Sequence, residues 1–120
     1  MNYPDSIVFD ISVQPDPNDI FFVDKTDLIG MDFVQGIRKR RLIGDTYAWF
    51  TVHVKCFHKD VPSVVGYTFK TGCSFESRED FEDSNFYRQL KAIAYYSLKD
   101  NLHDCYITAQ KIAGFLNDLP

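Results

Sequence analysis

The feature that most constrains this chain is a change of hydrophobic period near Ser77. Before that residue, apolar side chains recur at every second position, the period of a β-strand with one buried face. After it, they recur at the three- and four-residue spacing of an amphipathic helix. Strands followed by helix favour an α+β domain with an antiparallel sheet over repeated strand-helix-strand units. We therefore predict a sheet of about four antiparallel strands followed by one or more C-terminal helices.

The first part of the chain carries two of the predicted strands. In residues 7–13, apolar side chains at odd positions alternate with mostly polar ones at even positions. A turn rich in Pro, Asn and Asp follows over residues 15–19. The short apolar run at residues 20–23 fits a strand, an edge piece or a buried loop. Residues 29–38 are predicted as the second strand, with Ile29, Met31, Phe33 and Ile37 on one face. Two glycines on its other face suggest a bulge.

A hairpin follows the turn at Gly44-Asp45. Residues 46–58 carry the strongest strand pattern in the chain, and residues 65–75 alternate in the same way beyond a loop at residues 59–63. The predicted buried row of the first of these strands consists of Ala48, Phe50, Val52, Val54 and Cys56. The predicted row on its other face consists of Tyr47, Trp49, Thr51, His53, Lys55 and Phe57.

The helical part begins with an acidic cluster over residues 79–83, where a helix N-terminus favours negative charge. Ser77 or Ser84 is the predicted N-cap. An apolar stripe then runs along one helix face, and a second stripe toward Pro120 either continues that helix or forms another. The first stripe consists of Phe86, Leu90, Ile93, Ala94, Ser97 and Leu98.

The composition limits the class of protein. The chain has 120 residues, 45% hydrophobic and 25% charged, so it has the length and apolar content to fold as one domain over residues 1–120. Its formal net charge of −4 disfavours nucleic acid as a partner, and its three cysteines are typical of a reducing compartment. No stretch reaches the ~20 apolar residues of a membrane span, and residues 1–5 lack a signal-peptide pattern. We predict a cytoplasmic protein that does not contact membranes.

Cysteine and histidine side chains do not have the spacing of a metal site. Cys56 and His58 lie on one strand face, but no CxxC or HxxxH pair completes a tetrahedral set with His53, His103 or Cys105. Cys56 and Cys73 are better explained as small buried hydrophobic residues. We predict no metal, no cofactor and no catalytic residue.

Two charged runs have simple structural explanations. Arg38-Lys39-Arg40-Arg41 could hold phosphates, but the chain is acidic and has no Gly-rich phosphate loop. A solvated strand end near a hairpin turn explains this run better. The acidic run from Glu76 to Asp83 lacks the alternating Asp, Asn and Gly of a calcium loop, so we assign it to helix capping.

The hairpin is apolar on both faces, which is more than a sheet covered on one side requires. The chain has 19 aromatic residues (11 Phe, 7 Tyr and 1 Trp), and Tyr47, Trp49 and Phe57 lie opposite the predicted buried row. Tyr95 and Tyr96 add amphipathic surface of a type enriched at interfaces. Large apolar patches rarely stay exposed on monomers, so the second face should meet another subunit, a helix or a client. The alternative is that helices cover both faces.

Four segments within residues 46–120 carry a family resemblance. They are Tyr47-Ala48-Trp49-Phe50-Thr51-Val52-His53-Val54, Tyr67-Thr68-Phe69-Lys70-Thr71-Gly72-Cys73-Ser74-Phe75, Ala94-Tyr95-Tyr96-Ser97-Leu98-Lys99-Asp100, and the C-terminal pairs Gly114-Phe115 and Leu119-Pro120. The chain thereby resembles the SecB-type protein-export chaperones and their shorter relatives, in which antiparallel strands precede C-terminal helices. Lys99 and Asp100 stand for the basic and acidic pair of the family's helix motif. The motif's proline is absent, and Lys99 replaces its arginine.

The resemblance implies ATP-independent binding of unfolded or secretory polypeptides in apolar grooves by a homotetramer or dimer. The zinc-binding tail that engages the export motor is lacking, so that partner is not expected. Aromatic side chains would bury apolar stretches of a client at roughly 25 cal/mol per Å². The client-binding residues predicted on this basis are Tyr47, Trp49, Phe57, Tyr95 and Tyr96.

Two other classes of function remain open from the sequence. The chain could be a small acidic interaction protein, of the immunity or inhibitor type, that binds one folded partner. It could also be a small enzyme on a sheet-plus-helix fold with His53 and Asp32 as the reacting pair, an option that rests on fold analogy alone.

Overall fold

The computed structural model describes residues 2–18 and 28–120, without the side chains of residues 28–31. The predicted apolar run at residues 20–23 lies outside the described residues. The elements in chain order are strand β1 (Ile7–Pro15), helix α1 (Leu28–Leu42), a 3₁₀ turn (Thr46–Ala48), strand β2 (Phe50–His58), strand β3 (Val61–Cys73), helix α2 (Arg78–Glu82) and helix α3 (Asn85–Asp118). The three strands form one sheet in the order β1-β2-β3. The predicted α+β fold with an antiparallel sheet and C-terminal helix is confirmed, with three strands among the described residues instead of about four.

The hydrogen bonds at the two ends of β1 fix its register against β2. The amide of Asp16 donates to the carbonyl of Trp49 at 3.0 Å, and the amide of Lys59 donates to the carbonyl of Ser6 at 2.9 Å. The two residue numbers add to 65 in both pairs, as they must in one continuous antiparallel ladder. The predicted turn after β1 is also present, because Asp16 accepts the amide of Asn18 through Oδ1 at 2.9 Å.

The strand predicted over residues 29–38 is wrong, because this segment is helix α1. Phe33 and Ile37 are four residues apart, a spacing that a helix face and a strand face both allow. The structure buries Val34 and Ile37, which are three apart, and exposes Phe33. The helix ends in a Schellman motif, in which Gly44 has φ +83° and the amides of Gly44 and Asp45 donate to the carbonyls of Arg41 and Arg40.

The basic run therefore lies in the last turn of α1 and not at a strand end. Positive charge is favourable there because the carbonyl end of a helix is negative. A glycine just after a basic turn is a helix-stop signal in the sequence, and it could have identified α1.

The predicted hairpin is confirmed, since β2 and β3 are neighbours in the sheet. Its first strand begins later than predicted, because Asp45 caps a 3₁₀ turn and accepts the amide of Tyr47. The predicted buried row is fully enclosed, as expected for one face of a half-buried strand. The buried side chains of this row are Ala48, Phe50, Val52, Val54 and Cys56.

Strand β3 does not keep one alternation over its whole length. Gly66 is buried near its middle and Cys73 is buried at its end, so the buried parity changes from even to odd. Gly72 has φ +64°, the left-handed conformation of a glycine in a β-bulge. Such a bulge adds one residue to the strand and reverses which side chains face inward.

The two serines predicted as alternative N-caps each cap a helix. The Ser77 hydroxyl accepts the amide of Asp80 at the start of α2, and the Ser84 hydroxyl accepts the amide of Tyr87 at the start of α3. The second apolar stripe continues the first, because α3 is one helix of 34 residues. Leu90, Ala94 and Leu98 form its buried face at steps of four.

The chain divides into two compact units, each built from segments that are distant in the sequence. The first unit contains Met1–Asp10, Val54–Thr68 and Lys91–Pro120, and the second contains Ile11–His53 and Phe69–Leu90. That the chain behaves as one domain remains a prediction.

Candidate functional site

The five predicted client-binding residues are divided between the two units. Tyr47 and Trp49 belong to the second unit, whereas Phe57, Tyr95 and Tyr96 belong to the first. The structure therefore gives the two groups separate surroundings.

Trp49 is part of the core of the second unit. Its side chain is 4% exposed, and its indole Nε1–H donates to the carbonyl of Asn18 at 2.8 Å. A Cβ built on Gly72 would lie 3.2 Å from the indole ring, so β3 passes close to the ring. Trp49 would contact a client only after local opening of this unit.

Tyr47 is half-buried in the aromatic part of the same unit. Its ring lies edge-on to Phe50 with centroids 5.3 Å apart, and Phe81 lies 6.1 Å away. Burial raises the pKa of the Tyr47 hydroxyl, and Arg78 opposes that shift while Glu82 and Glu79 add to it. The packing of this ring is explained by the core alone.

A buried carboxylate holds the second unit together at the end of β1. Asp16 is 2% exposed, and its Oδ2 accepts the amide of Gly72 at 2.8 Å and the hydroxyl of Thr51 at 3.3 Å. Burial alone would raise the pKa of Asp16, but these bonds, the Asn18 amide and the nearby Arg41 guanidinium together lower it. Because the carboxylate is fully hydrogen-bonded, its role is structural.

The basic run is engaged within the fold. Arg40 Nε donates to Asp45 at 2.8 Å, and its Nη2 donates to the carbonyls of Phe75 and Glu76. Arg41 Nη2 donates to the carbonyl of Asp16 at 2.9 Å. Two of the four cations thus fasten the end of α1 to neighbouring segments of its unit.

The two residues of the enzyme alternative, His53 and Asp32, do not line one pocket in the described part of the chain. A pocket of about 430 Å³ in the second unit is lined by Asp32, Arg40, Phe75 and Glu76, among others, but not by His53. The His53 ring instead stacks on Phe69, with centroids 5.9 Å apart.

Thiols and imidazoles do not gather in the part of the chain that the structure describes, where no group of three His, Cys, Asp or Glu could hold a metal ion. All three cysteines are free. Burial raises the pKa of the Cys73 thiol to about 11, so at neutral pH this group is a protonated core side chain. Burial also raises the pKa of Cys56, with Lys91 opposing the shift.

The first unit contains the exposed aromatic surface. Tyr96 is 51% exposed, while Phe57 and Tyr95 are half-buried. Tyr95 packs edge-on to Tyr3 with centroids 5.0 Å apart. The Lys99 ammonium lies about 6 Å from the ring centroids of Tyr95 and Tyr96. Burial is the largest cause of the raised pKa of Tyr3, to which Cys56, Tyr96 and Tyr95 add.

Strand β3 is an edge strand, and α3 covers part of that edge. Asn101 Nδ2 donates to the carbonyl of Val65 at 2.8 Å, and the Tyr67 amide donates to the Ser97 hydroxyl at 3.3 Å. Gly66 makes the approach possible, because a Cβ there would lie 2.0 Å from the Ala94 carbonyl oxygen. The helix thereby satisfies backbone groups that an edge strand would otherwise leave open.

Beside this contact, β3 presents apolar side chains to solvent. Val61, Val65 and Tyr67 lie on one strand face, with Ser63 between the first two, and all three are exposed, Tyr67 at 42%. We call these three residues the β3 row. Ile93 is a further exposed apolar side chain in the same unit, on α3 near Tyr96.

The last part of α3 is exposed throughout. Every residue from His103 to Pro120 is exposed, and six large apolar side chains are among them. We call residues 102–120 the α3 tail. Its exposed large apolar residues are Tyr106, Ile107, Ile112, Phe115, Leu116 and Leu119.

The sequence predictions missed both of these surfaces. Residues 65–75 were assigned one continuous alternation, in which Val65 and Tyr67 share an apolar face with Cys73. The bulge at Gly72 breaks that assignment, and an in-strand glycine is the signal that could have indicated it. For the tail, the stripe of Ile112 and Leu116 predicted a helix, but it did not predict that the side chains of this helix are exposed.

In the described ranges, no helix is both long enough and apolar enough to cross a bilayer.

Comparisons with known proteins identify no relative of this chain. No protein-family model, no curated protein and no solved structure matches this chain.

Proposed function

We propose that this protein is a SecB-like, ATP-independent holdase that binds unfolded polypeptide through exposed apolar side chains of its first unit. The observation that carries the proposal is the β3 row, in which Val61, Val65 and Tyr67 are exposed on the part of β3 that precedes the bulge. A strand holds its side chains at fixed alternate positions, so these three can meet an extended client segment without rearrangement.

The chemistry of the β3 row suits unfolded clients better than a single folded partner. Apolar burial is non-directional, so it tolerates many client sequences. Fully burying a Val or Leu side chain contributes about 1.5–3 kcal/mol, so a few half-exposed side chains would give weak, reversible capture. The formal net charge of −4 would favour basic client segments.

The predicted residues Tyr96, Tyr95 and Phe57 support the same proposal, because they belong to the same unit as the β3 row. Tyr96 is the most exposed of the three. Its ring combines a large apolar face with a hydroxyl that stays hydrated, a property enriched at interfaces. Trp49 and Tyr47 support the fold of the second unit and do not enter the proposed surface.

The test is suppression of aggregation of a chemically unfolded, unrelated protein without ATP. We expect the wild-type chain to suppress light scattering at near-equimolar ratios. The double variant Val65→Thr/Tyr67→Ser should lose most of this effect, because it removes apolar surface from the β3 row without touching the core.

The matched control is Leu42→Ser/Ile43→Thr, which removes two strongly exposed apolar side chains at the end of α1. It should suppress aggregation as wild type does. Equal loss in both double variants would indicate general stickiness and contradict a defined surface. Tight, stoichiometric binding to one folded protein, with no effect on unfolded clients, would instead support the immunity or inhibitor type of function.

A further inference from the structure

We propose that the α3 tail pairs with the α3 tail of a second copy of this chain as an antiparallel helix pair. The inference is independent of holdase activity, because the β3 row takes no part in it. It rests on three observations about α3: the spacing of its apolar residues, the position of its charges and the order of large and small side chains.

The buried face of α3 continues into the tail without a break. Leu98 is 1% exposed in the first unit, and from it apolar residues follow at alternating steps of four and three. At 3.6 residues per turn those that belong to α3 lie within about 40° of the direction of Leu98. The residues of this seam are Leu102, Cys105, Ala109, Ile112 and Leu116 within α3, and Leu119 follows one residue past its end. Apolar residues at alternating steps of four and three form the contact line, or seam, between paired helices.

The charges of the tail all lie away from the seam. Asp104, Lys111 and Asp118, with His103, point about 120° or more from the direction of Leu98. In paired helices, charged side chains at the positions that flank the seam determine which partner is chosen. In the α3 tail these flanking positions carry no charged side chain. One Lys against two Asp also gives the tail the wrong sign for an anionic lipid surface. A second apolar helix is the partner that this face fits.

The order of large and small seam residues selects a second copy in antiparallel orientation. In an antiparallel pair, residues whose numbers add to 221 face each other, so Leu102 meets Leu119 of the second copy. Cys105 then meets Leu116, and Ala109 meets Ile112. Each small side chain faces a large one, as close packing requires. A parallel pair would place Cys105 on Cys105 and Ala109 on Ala109, which leaves two underfilled layers.

The first test measures the mass of the full chain by sedimentation over a range of concentrations. We expect a concentration-dependent dimer of twice 13.9 kDa. Ile112→Asp should shift the chain to monomer, because it places a charge on the seam. Ile107→Asp is the matched control, since Ile107 is also exposed but lies on the opposite side of the helix. It should leave the dimer intact.

The second test reads the orientation by mild oxidation. In the antiparallel register, Leu116→Cys should form an intermolecular disulfide with the native Cys105 of the other copy. Wild type should not cross-link, because its two Cys105 side chains would lie about 16 Å apart along the helix axis. Cys105→Ser/Leu116→Cys should not cross-link either.

Each result decides the proposal. A monomer at every concentration would overturn it, and so would a dimer that tolerates Ile112→Asp as well as it tolerates Ile107→Asp. Ready cross-linking of wild type through Cys105 would overturn the antiparallel register. Failure of aggregation suppression by a chain that still passes both tests would reject the holdase proposal and leave this one standing.

Discussion

The two halves of helix α3 have the same apolar spacing and opposite surroundings. In the first half, Leu90, Ala94 and Leu98 recur at steps of four and are buried. In the α3 tail, Ile112 and Leu116 are also four residues apart and are exposed. The spacing alone therefore does not determine burial. What differs is the packing, because Gly66 of β3 lies against the first half, whereas every residue from His103 to Pro120 is exposed.

The contact that packs the first half depends on one glycine. Gly66 allows β3 and α3 to approach until a Cβ would lie 2.0 Å from the Ala94 carbonyl and 2.3 Å from the Leu98 amide nitrogen. Both neighbours are backbone atoms of a helix, which cannot move aside as a flexible side chain can. The packed half of α3 is thus tightly specified, whereas the tail has no comparable constraint.

The largest expected effect is that of Gly66→Val. It should lower the free energy of unfolding by more than about 3 kcal/mol, because the new side chain meets helix backbone. Gly114→Ala is the control in the tail, where a new Cβ meets nothing within 4 Å. It should raise the stability of the helix by about 0.5–1 kcal/mol. Urea unfolding followed by Trp49 fluorescence measures the first change, and far-UV circular dichroism the second. A Gly66→Val chain as stable as wild type would show that the close approach is not required.

The next comparison removes the same side chain from each half. Leu98→Ala should cost about 2–5 kcal/mol of unfolding free energy, since Leu98 is 1% exposed. Leu116→Ala should cost less than about 0.5 kcal/mol in dilute solution, since Leu116 is 62% exposed. The measurement is urea unfolding at low and high protein concentration. If the tails pair, the cost of Leu116→Ala should grow with concentration while that of Leu98→Ala should not.

The contrast between the halves also shows what could be predicted from the sequence. The period of β2 and the caps at Ser77 and Ser84 are local signals, and the structure confirms them. Of the predicted α3 stripe, it buries Leu90, Ala94 and Leu98 but exposes Ile93. Phe33 and Ile37 misled the assignment of α1, because a spacing of four suits a strand and a helix alike.

The candidate site was less predictable than the fold. Alternation places Trp49 opposite Phe50, but it does not state whether other segments cover that face. Asn18 and Gly72, which do cover it, are 31 and 23 residues away in the chain, so no local pattern predicts the burial of Trp49. Exposure of the β3 row depends likewise on the bulge near Gly72 and on the path of α3, both of which are tertiary features.

The smallest of the three main effects distinguishes a region that depends on a charged side chain, around Asp16, from one that does not, the seam of the α3 tail. The folded-state pKa of Asp16 is below its usual value of 3.8, so on acidification the unfolded chain takes up the proton first. The stabilisation is therefore complete well above pH 3.8 and declines as the pH falls through 3.8. Asp16→Asn should cost about 1–3 kcal/mol at pH 7, and this difference from wild type should shrink on acidification below pH 3.8.

Urea unfolding at pH 7 and at pH 3 measures this difference. Dimer mass measured at pH 7 and pH 5 provides the comparison, because no acidic or basic side chain lies on the seam of the α3 tail. Asp16→Asn should therefore leave the mass unchanged at both values. An Asp16→Asn penalty that stays constant down to pH 3 would contradict the lowered pKa. A change of dimer mass in this variant would show that pairing depends on the fold around Asp16 and not on the apolar seam alone.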